Sequence, residues 1–280
     1  MNKHALKAAR KLIELALAED VGDGDITTDN IIPSGIRRKA KMVAKANGVV
    51  AGLPVAEMVF RKLDPNLIWN ELIPDGSKVK NGDVMVEFEG SYRALLTGER
   101  TALNFLQRLS GIATMSAIYA DAVKDFQTVI LDTRKTLPGF NKLDKYAVKT
   151  GGASNHRIGL HDMAMIKDNH IEVAGGIAAA VKAIRNSIEH GIKIEVETNS
   201  LAQVQEAIDA KVDIIMLDNM DMETMRKSVE LIAGRAKVEA SGNITLERLR
   251  DVAATGVDYI SIGALTHSVT ALDISQRIED

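Results

Sequence analysis

The sequence predicts an α/β protein: a sandwich-like β layer with helices, followed by a closed or nearly closed α/β barrel. Three observations carry that prediction. After Phe126, apolar strands and helical patterns alternate to the end of the chain, as expected of right-handed parallel strand–helix units. No dinucleotide-type glycine fingerprint follows the first of these strands, which favours a barrel over the alternative of a doubly wound open sheet. Between 38 and 92, short strands are separated by the turn sequences Asn47-Gly48, Pro74-Asp75-Gly76 and Asn81-Gly82-Asp83.

Length and composition narrow the function. At 280 residues the chain suits about two domains of ~150, or one large barrel. Its 46% hydrophobic and 26% charged residues are those of an ordinary folded protein. There is no cysteine, which excludes a disulfide framework, a thiolate zinc site and a cysteine nucleophile. A net charge of −3 and 4% aromatic content argue against a general nucleic-acid binder. No apolar run approaches ~18 residues, and the basic opening lacks a signal-peptide core. The expected location is cytoplasmic.

Element by element, Leu6, Ala9, Leu12, Ile13, Ala16 and Leu17 lie at helical spacing and predict a helix over 3–18. The acidic run Glu19 to Asp25 reads as a solvated turn, because a calcium loop begun at Asp20 would place Ile31 where the bidentate glutamate belongs. The stretch Ile73 to Gly90 resembles half of a biotinyl or lipoyl carrier sandwich, without an evident turn lysine to modify. Thr97 is expected to cap a helix with Glu99 in its first turn. Arg100 would then lie in that same turn, where the helix dipole disfavours a cation. Strands are expected at 129–133, 163–167, 192–197, 213–217, 236–240 and 258–262, with one more short strand near 153–157. Helices are expected at 142–149, 174–189, 200–210, 221–233 and 245–254.

The strands are apolar until their carboxyl ends, where charges appear one after another. Val129-Ile130-Leu131 runs into Asp132-Thr133-Arg134-Lys135, and Met163 to Ile166 runs into Lys167-Asp168. Glu195 and Glu197 alternate on one strand face, Ile214 to Leu217 delivers Asp218, and Glu239-Ala240 delivers Ser241-Gly242-Asn243. Barrel enzymes place their chemistry at this end, and burying so many charges is costly unless they pair with one another or with a ligand. A highly charged substrate is expected. Arg134, Lys135, His156, Arg157 and Lys167 would form its cationic pocket. Glu197 and Asp218 could hold Mg²⁺ through water or stabilise a developing cation. Ser241-Gly242-Asn243, read as a helix opening, and Gly263-Ala264 would bind phosphate. Of the histidines, His4 and His190 read as surface residues, and His161 and His170 as structural ones. No pair has zinc-helix spacing, so no histidine-bound metal is expected.

These residues resemble a known family. Asp132 to Gly139, Lys145-Tyr146-Ala147-Val148, Asn155-His156-Arg157 and Ile166 to His170 are similar to quinolinate phosphoribosyltransferases. So are Glu19-Asp20, Gly24 to Thr27, Gly98 to Asn104, Glu195-Val196-Glu197, Met216 to Asn219 and Glu239 to Asn243, and the likeness covers nearly the whole chain. Phe140-Asn141 and Ala153 depart from the family's usual Leu-Arg and glycine. The resemblance implies an N-terminal α/β sandwich domain over 1–104, rejoined by 267–280, and an open α/β barrel of about seven parallel strands over 105–266. It implies transfer of a phosphoribosyl group from 5-phosphoribosyl 1-diphosphate to quinolinate with Mg²⁺, giving nicotinate mononucleotide, diphosphate and CO₂ in NAD biosynthesis. It also implies a homodimer, or a hexamer built from such dimers, in which Arg100 reaches the partner's site. Lys135, Lys167, Glu197 and Asp218 would be catalytic. Arg100, Thr133, Arg134, His156, Arg157, Ser241, Gly242, Asn243, Ile262, Gly263, Ala264 and His267 would complete the substrate contacts.

Three rival readings stand beside it. One is a paralogous barrel phosphoribosyltransferase acting on another aromatic acid. Another is a Schiff-base aldolase with Lys167 as nucleophile, since such lysines end apolar barrel strands. The third is a polyanion-binding regulatory protein without turnover.

Overall fold

The computed structural model describes residues 1–189 and 191–279, so His190 and Asp280 lie outside the described residues. Helix α1 (Lys3–Val21) buries Ala5, Ala9, Ile13 and Leu17 and is capped by the Asn2 side chain. It runs through Glu19 and Asp20, three residues beyond its expected end. Asp25 caps the short α2 (Ile26–Ile31) through the Thr28 amide at 2.9 Å. Next come β1 (Arg37–Ala44), β2 (Gly48–Val49), α3 (Leu53–Leu63), β3 (Ile68–Glu71), β4 (Lys78–Val79) and β5 (Val84–Ser91). The long helix α4 (Tyr92–Ala122) follows without a break.

The strand–helix half begins with β6 (Val129–Leu131), α5 (Asn141–Thr150), β7 (Ala164–Ile166), α6 (Asp168–Ala174), α7 (Ile177–Arg185) and β8 (Ile194–Thr198). It continues with α8 (Leu201–Asp209), β9 (Ile214–Asp218), α9 (Met222–Ile232), β10 (Lys237–Ser241), α10 (Leu249–Ala253) and β11 (Tyr259–Ser261). The four-residue α11 (Ala264–His267) and the strand β12 (Ile274–Glu279) close the chain.

Two compact units result. The first holds 1–117, 136–152 and 264–280, and the second 118–135 and 153–263. The expected boundary at 104/105 falls inside α4, which is one continuous helix there. The segment 136–152, expected within the barrel, belongs to the first unit. In that unit an antiparallel sheet runs in the order β12-β1-β5-β3. The C-terminal return is held against α4, where Gln107 Nε2 donates to the Ile274 carbonyl at 2.7 Å and Leu272 N donates to the Gln107 carbonyl. Gly111 makes that approach possible, since a Cβ there would strike the Thr270 carbonyl.

In the second unit, all strands are parallel in the order β6-β11-β10-β9-β8-β7. Ser154 adds a parallel bridge to Leu131 beside β6, where the seventh, short strand is expected. The sheet is therefore open between this edge and β7.

Candidate active site

The carboxyl end of this parallel sheet carries the charges that the sequence singles out. Lys167, directly after β7, places Nζ 2.5 Å from Glu197 Oε2 on the adjacent β8. The expected acidic and basic sides of the pocket are thus joined by an ion pair. Asp218 ends β9 beside Ser241 of β10, and its Oδ2 accepts a hydrogen bond from Asn219 Nδ2 at 2.8 Å.

Ser241-Gly242-Asn243 does not open a helix, because α10 begins only at Leu249. It forms a tight turn instead. Gly242 (φ 96°) and Asn243 (φ 47°) are both left-handed, and Asn243 Nδ2 donates to Asn219 Oδ1 at 3.2 Å. A Cβ on Gly242 would run into the Asn219 side chain, so glycine is required. The positive-φ pair can still turn backbone N–H groups towards an anion, as a nest and not a helix terminus.

Asp132 organises the other edge. It is fully buried, accepts from the His156 amide and from Asn155 Nδ2, both at 2.8 Å, and so pins the 155–157 loop to the end of β6. The Thr133 hydroxyl accepts from Lys135 N at 3.1 Å, shaping the turn that carries Arg134 and Lys135. Arg157 Nη1 donates to the Met163 carbonyl, while its buried Nε has no partner among the described residues. Burial and the neighbouring Arg134 charge pull the Arg157 pKa below its ordinary value, against an opposing pull from Glu195 and Asp162.

His156 lies deeper than a surface ligand, with its side chain 7% exposed. Its Nε2 is 2.9 Å from Glu195 Oε2 and 3.6 Å from Glu239 Oε2, and both glutamates are completely buried. Burial and the Glu195 charge push the Glu239 carboxyl up to about 8, with His156 opposing. This His–Glu–Glu cluster, its ligand atoms within 4.8 Å of one another, is the metal-competent grouping that a search for helix spacing misses. The alternating pattern of β8 signals Glu195, but no sequence feature marks Glu239 as its neighbour.

His170 Nδ1 accepts from Lys167 N at 3.0 Å and caps α6, the structural role expected of it. Ile262 N donates to the Leu131 carbonyl and continues the ladder past β11. Gly263 ends the second unit, whereas Ala264 and His267 belong to the first, where His267 Nδ1 lies 2.7 Å from Ser268 Oγ. Arg100 also belongs to the first unit and is exposed on α4. Because α4 starts at Tyr92, Thr97 is not its cap and Arg100 lies in the third turn. The dipole argument for Arg100 therefore falls. Phe140 stacks on Phe105 with ring centroids 5.8 Å apart and underlies Arg108 in the first unit, so this departure from the family pattern is a packing residue.

Comparison with known proteins adds a consistent picture. Residues 25–110 match the quinolinate phosphoribosyl transferase N-terminal domain family, and 112–277 the C-terminal domain family. The chain is 48% identical over 267 residues to a probable nicotinate-nucleotide pyrophosphorylase (carboxylating) of Synechocystis, covering 94% of this chain and 90% of that protein. It is 44% identical to quinolinate phosphoribosyltransferase (decarboxylating) 1 of Nicotiana glauca, covering 99% and 84%. Among solved structures, NadC from Streptococcus pyogenes superposes with a TM-score of 0.93 at 42% identity, covering 97% of both chains. The nicotinate-nucleotide pyrophosphorylase of Francisella tularensis gives 0.94 at 40% identity, covering 98% of this chain and 96% of that one.

Proposed function

The chain belongs to the quinolinate phosphoribosyltransferase family, and from that premise we propose how its own residues carry the reaction. It is a phosphoribosyltransferase that converts quinolinate and 5-phosphoribosyl 1-diphosphate to nicotinate mononucleotide, diphosphate and CO₂ in NAD biosynthesis.

The observation that carries the site assignment is Arg157. Its Nε is buried without a partner among the described residues, and its charge is crowded by Arg134. Such an arrangement is costly until an anion enters. The two adjacent carboxylates of quinolinate supply that anion, held by Arg134, Arg157 and Lys167, with His156 beneath them. Loss of diphosphate from C1′ leaves an oxocarbenium-like centre, which Glu197 and Asp218 stabilise. The ring nitrogen bonds to C1′ and becomes cationic, so it stabilises the electron pair left on the adjacent ring carbon when that carbon's carboxylate leaves as CO₂, and a proton then takes the vacated position. Lys135 and the backbone of the Gly242 and Gly263 turns hold phosphate oxygens.

Glu197 and Asp218 each have one oxygen engaged, and no third carboxylate or imidazole joins them among the described residues. Two carboxylates suit Mg²⁺, which binds through one or two of them plus substrate phosphates and water. Held there, Mg²⁺ would neutralise the diphosphate leaving group.

The active form in this reading is a homodimer, or a hexamer built from such dimers, in which Arg100 reaches the partner's site. Its support is an arginine that stands exposed on α4. A cytoplasmic location belongs to the same reading. Among the described residues no helix is long and apolar enough to cross a membrane. The Schiff-base reading is disfavoured, because Lys167 is salt-bridged at 2.5 Å and not seated in an apolar pocket.

Incubation of the protein with quinolinate, 5-phosphoribosyl 1-diphosphate and Mg²⁺ should yield equal amounts of nicotinate mononucleotide and CO₂. Neither product appearing, with binding of quinolinate intact, would point to the regulatory alternative.

A further inference from the structure

The interior of the barrel holds two glutamates that the reaction does not use. Glu195 lies on β8 and Glu239 on β10, the strands flanking β9, so they enter the barrel as a layer contributed by alternate strands. Branched aliphatic side chains ordinarily fill such layers. Both glutamates are 0% exposed, and among the described residues Glu195 Oε1 and both Glu239 oxygens lack a hydrogen-bond partner within normal distance. Buried ionisable clusters are weak contributors to folding at neutral pH, and apolar residues of similar volume often replace a whole cluster at no cost. Their common feature is His156 Nε2, at 2.9 and 3.6 Å. The backbone of His156 is meanwhile tied down independently by Asp132.

We propose that Glu195, backed by Glu239, is a positioning residue that fixes the His156 ring through Nε2 and thereby sets where quinolinate sits against Arg157 and Lys167. The idea rests on the substrate-binding role assigned to His156 above. Glu195 acts through His156 and touches no reacting atom. The 2.9 Å separation is a hydrogen-bond distance, at which the ring N–H donates to the carboxylate. An imidazole anchored on one edge by a carboxylate has one tautomer and one plane, whereas an unanchored ring would sample several.

The test compares wild type, Glu195→Leu, Glu195→Gln, His156→Ala and the double variant Glu195→Leu/His156→Ala. Glu195→Leu should raise KM for quinolinate about 10- to 100-fold, the usual cost of losing a partner that orients a ligand. KM for 5-phosphoribosyl 1-diphosphate should stay within about threefold, while the melting temperature falls only by the cost of one stranded imidazole N–H. Glu195→Gln keeps an acceptor and should restore KM to within about fivefold of wild type, which also covers the case in which the leucine variant does not fold. In the His156→Ala background, Glu195→Leu should change nothing further. The ¹⁵N NMR signal of His156 should show a hydrogen-bonded Nε2–H in wild type and Glu195→Gln that is absent in Glu195→Leu. Equal rises in both KM values, additive effects in the double variant, or an unchanged His156 signal would overturn the proposal. So would a metal ion bound stoichiometrically to wild type and lost from Glu195→Gln, because the cluster would then be a metal centre. If wild type does not turn over quinolinate, the functional reading fails, while the NMR comparison still decides the anchor.

Discussion

Glu239 is an enclosed acid, and its proton should be visible in the pH dependence of stability. Its folded-state pKa, about 8, lies above the ordinary 4.5, so the folded protein holds a proton that the unfolded chain releases. That contribution is fully present below about 4.5 and is lost as pH rises through about 8, at a slope of up to about 1.4 kcal/mol per pH unit. Glu239→Gln is neutral throughout and should remove this slope. Urea unfolding of both proteins between pH 5 and 8.5 measures it, and identical slopes would mean that Glu239 is ionised. At the pocket mouth, Arg157→Ala should raise KM for quinolinate by about 30-fold or more, since losing a charged contact to a buried carboxylate costs about 2 to 5 kcal/mol. The Lys167–Glu197 pair modifies the matching expectation for Glu197→Gln. That variant should lose kcat, and by releasing Lys167 it should also weaken quinolinate severalfold, which steady-state kinetics with each substrate would resolve. Asp132, Arg134 and Lys167 are legible in the sequence because a charge ending an apolar strand is conspicuous. The contacts of Asp132 and Glu239 with His156 are not, because what matters is which alternate strand or distant loop they face. That is set by sheet order.

At the scale of elements, side chains far away in sequence decide where helices begin. Thr97 has the right chemistry for a cap, but α4 grows directly out of β5 at Tyr92, and the Thr97 hydroxyl instead donates to Asp25 Oδ2 at 3.1 Å. Helix α3 begins at Leu53 without a capping side chain of its own. Asp75 supplies the cap from the Pro74-Asp75-Gly76 turn, accepting from Gly52 N at 2.7 Å and Leu53 N at 3.1 Å. The same carboxylate accepts from the Tyr146 hydroxyl at 2.5 Å, and burial beside Asp75 pushes the Tyr146 phenol above its ordinary pKa. One turn residue thus holds a helix start and the α5 segment together. Asp75→Ala should destabilise the protein by about 1 to 3 kcal/mol, combining a lost cap with a stranded tyrosine hydroxyl. Tyr146→Phe in the Asp75→Ala background should recover part of that loss, as urea unfolding would show. Local sequence reveals the turn, because proline and glycine punctuate it, but not the two partners it acquires.

Over the whole chain, periodicity revealed the alternating strands and helices well, because a buried parallel strand must be continuously apolar. It could not show that residues 136–152 belong with the first unit, since α5 has the same amphipathic pattern whichever unit it serves. Nor could it justify Arg100, whose supposed strain disappears once α4 begins at Tyr92, eight residues before it. What remains for Arg100 is geometry: an exposed arginine on the first unit that the proposed dimer carries into the neighbouring site. This has a quantitative consequence. Arg100→Ala and Lys167→Ala should each be nearly inactive as homodimers. In a closed two-fold dimer, a hybrid of the two has one site with both residues intact and one with neither. Random exchange makes about half of the dimers hybrids, each with one competent site of two, so about one quarter of wild-type specific activity should return. If Arg100 serves its own subunit, every site in the hybrid lacks one residue. The mixture then stays inactive even after mass spectrometry has demonstrated subunit exchange.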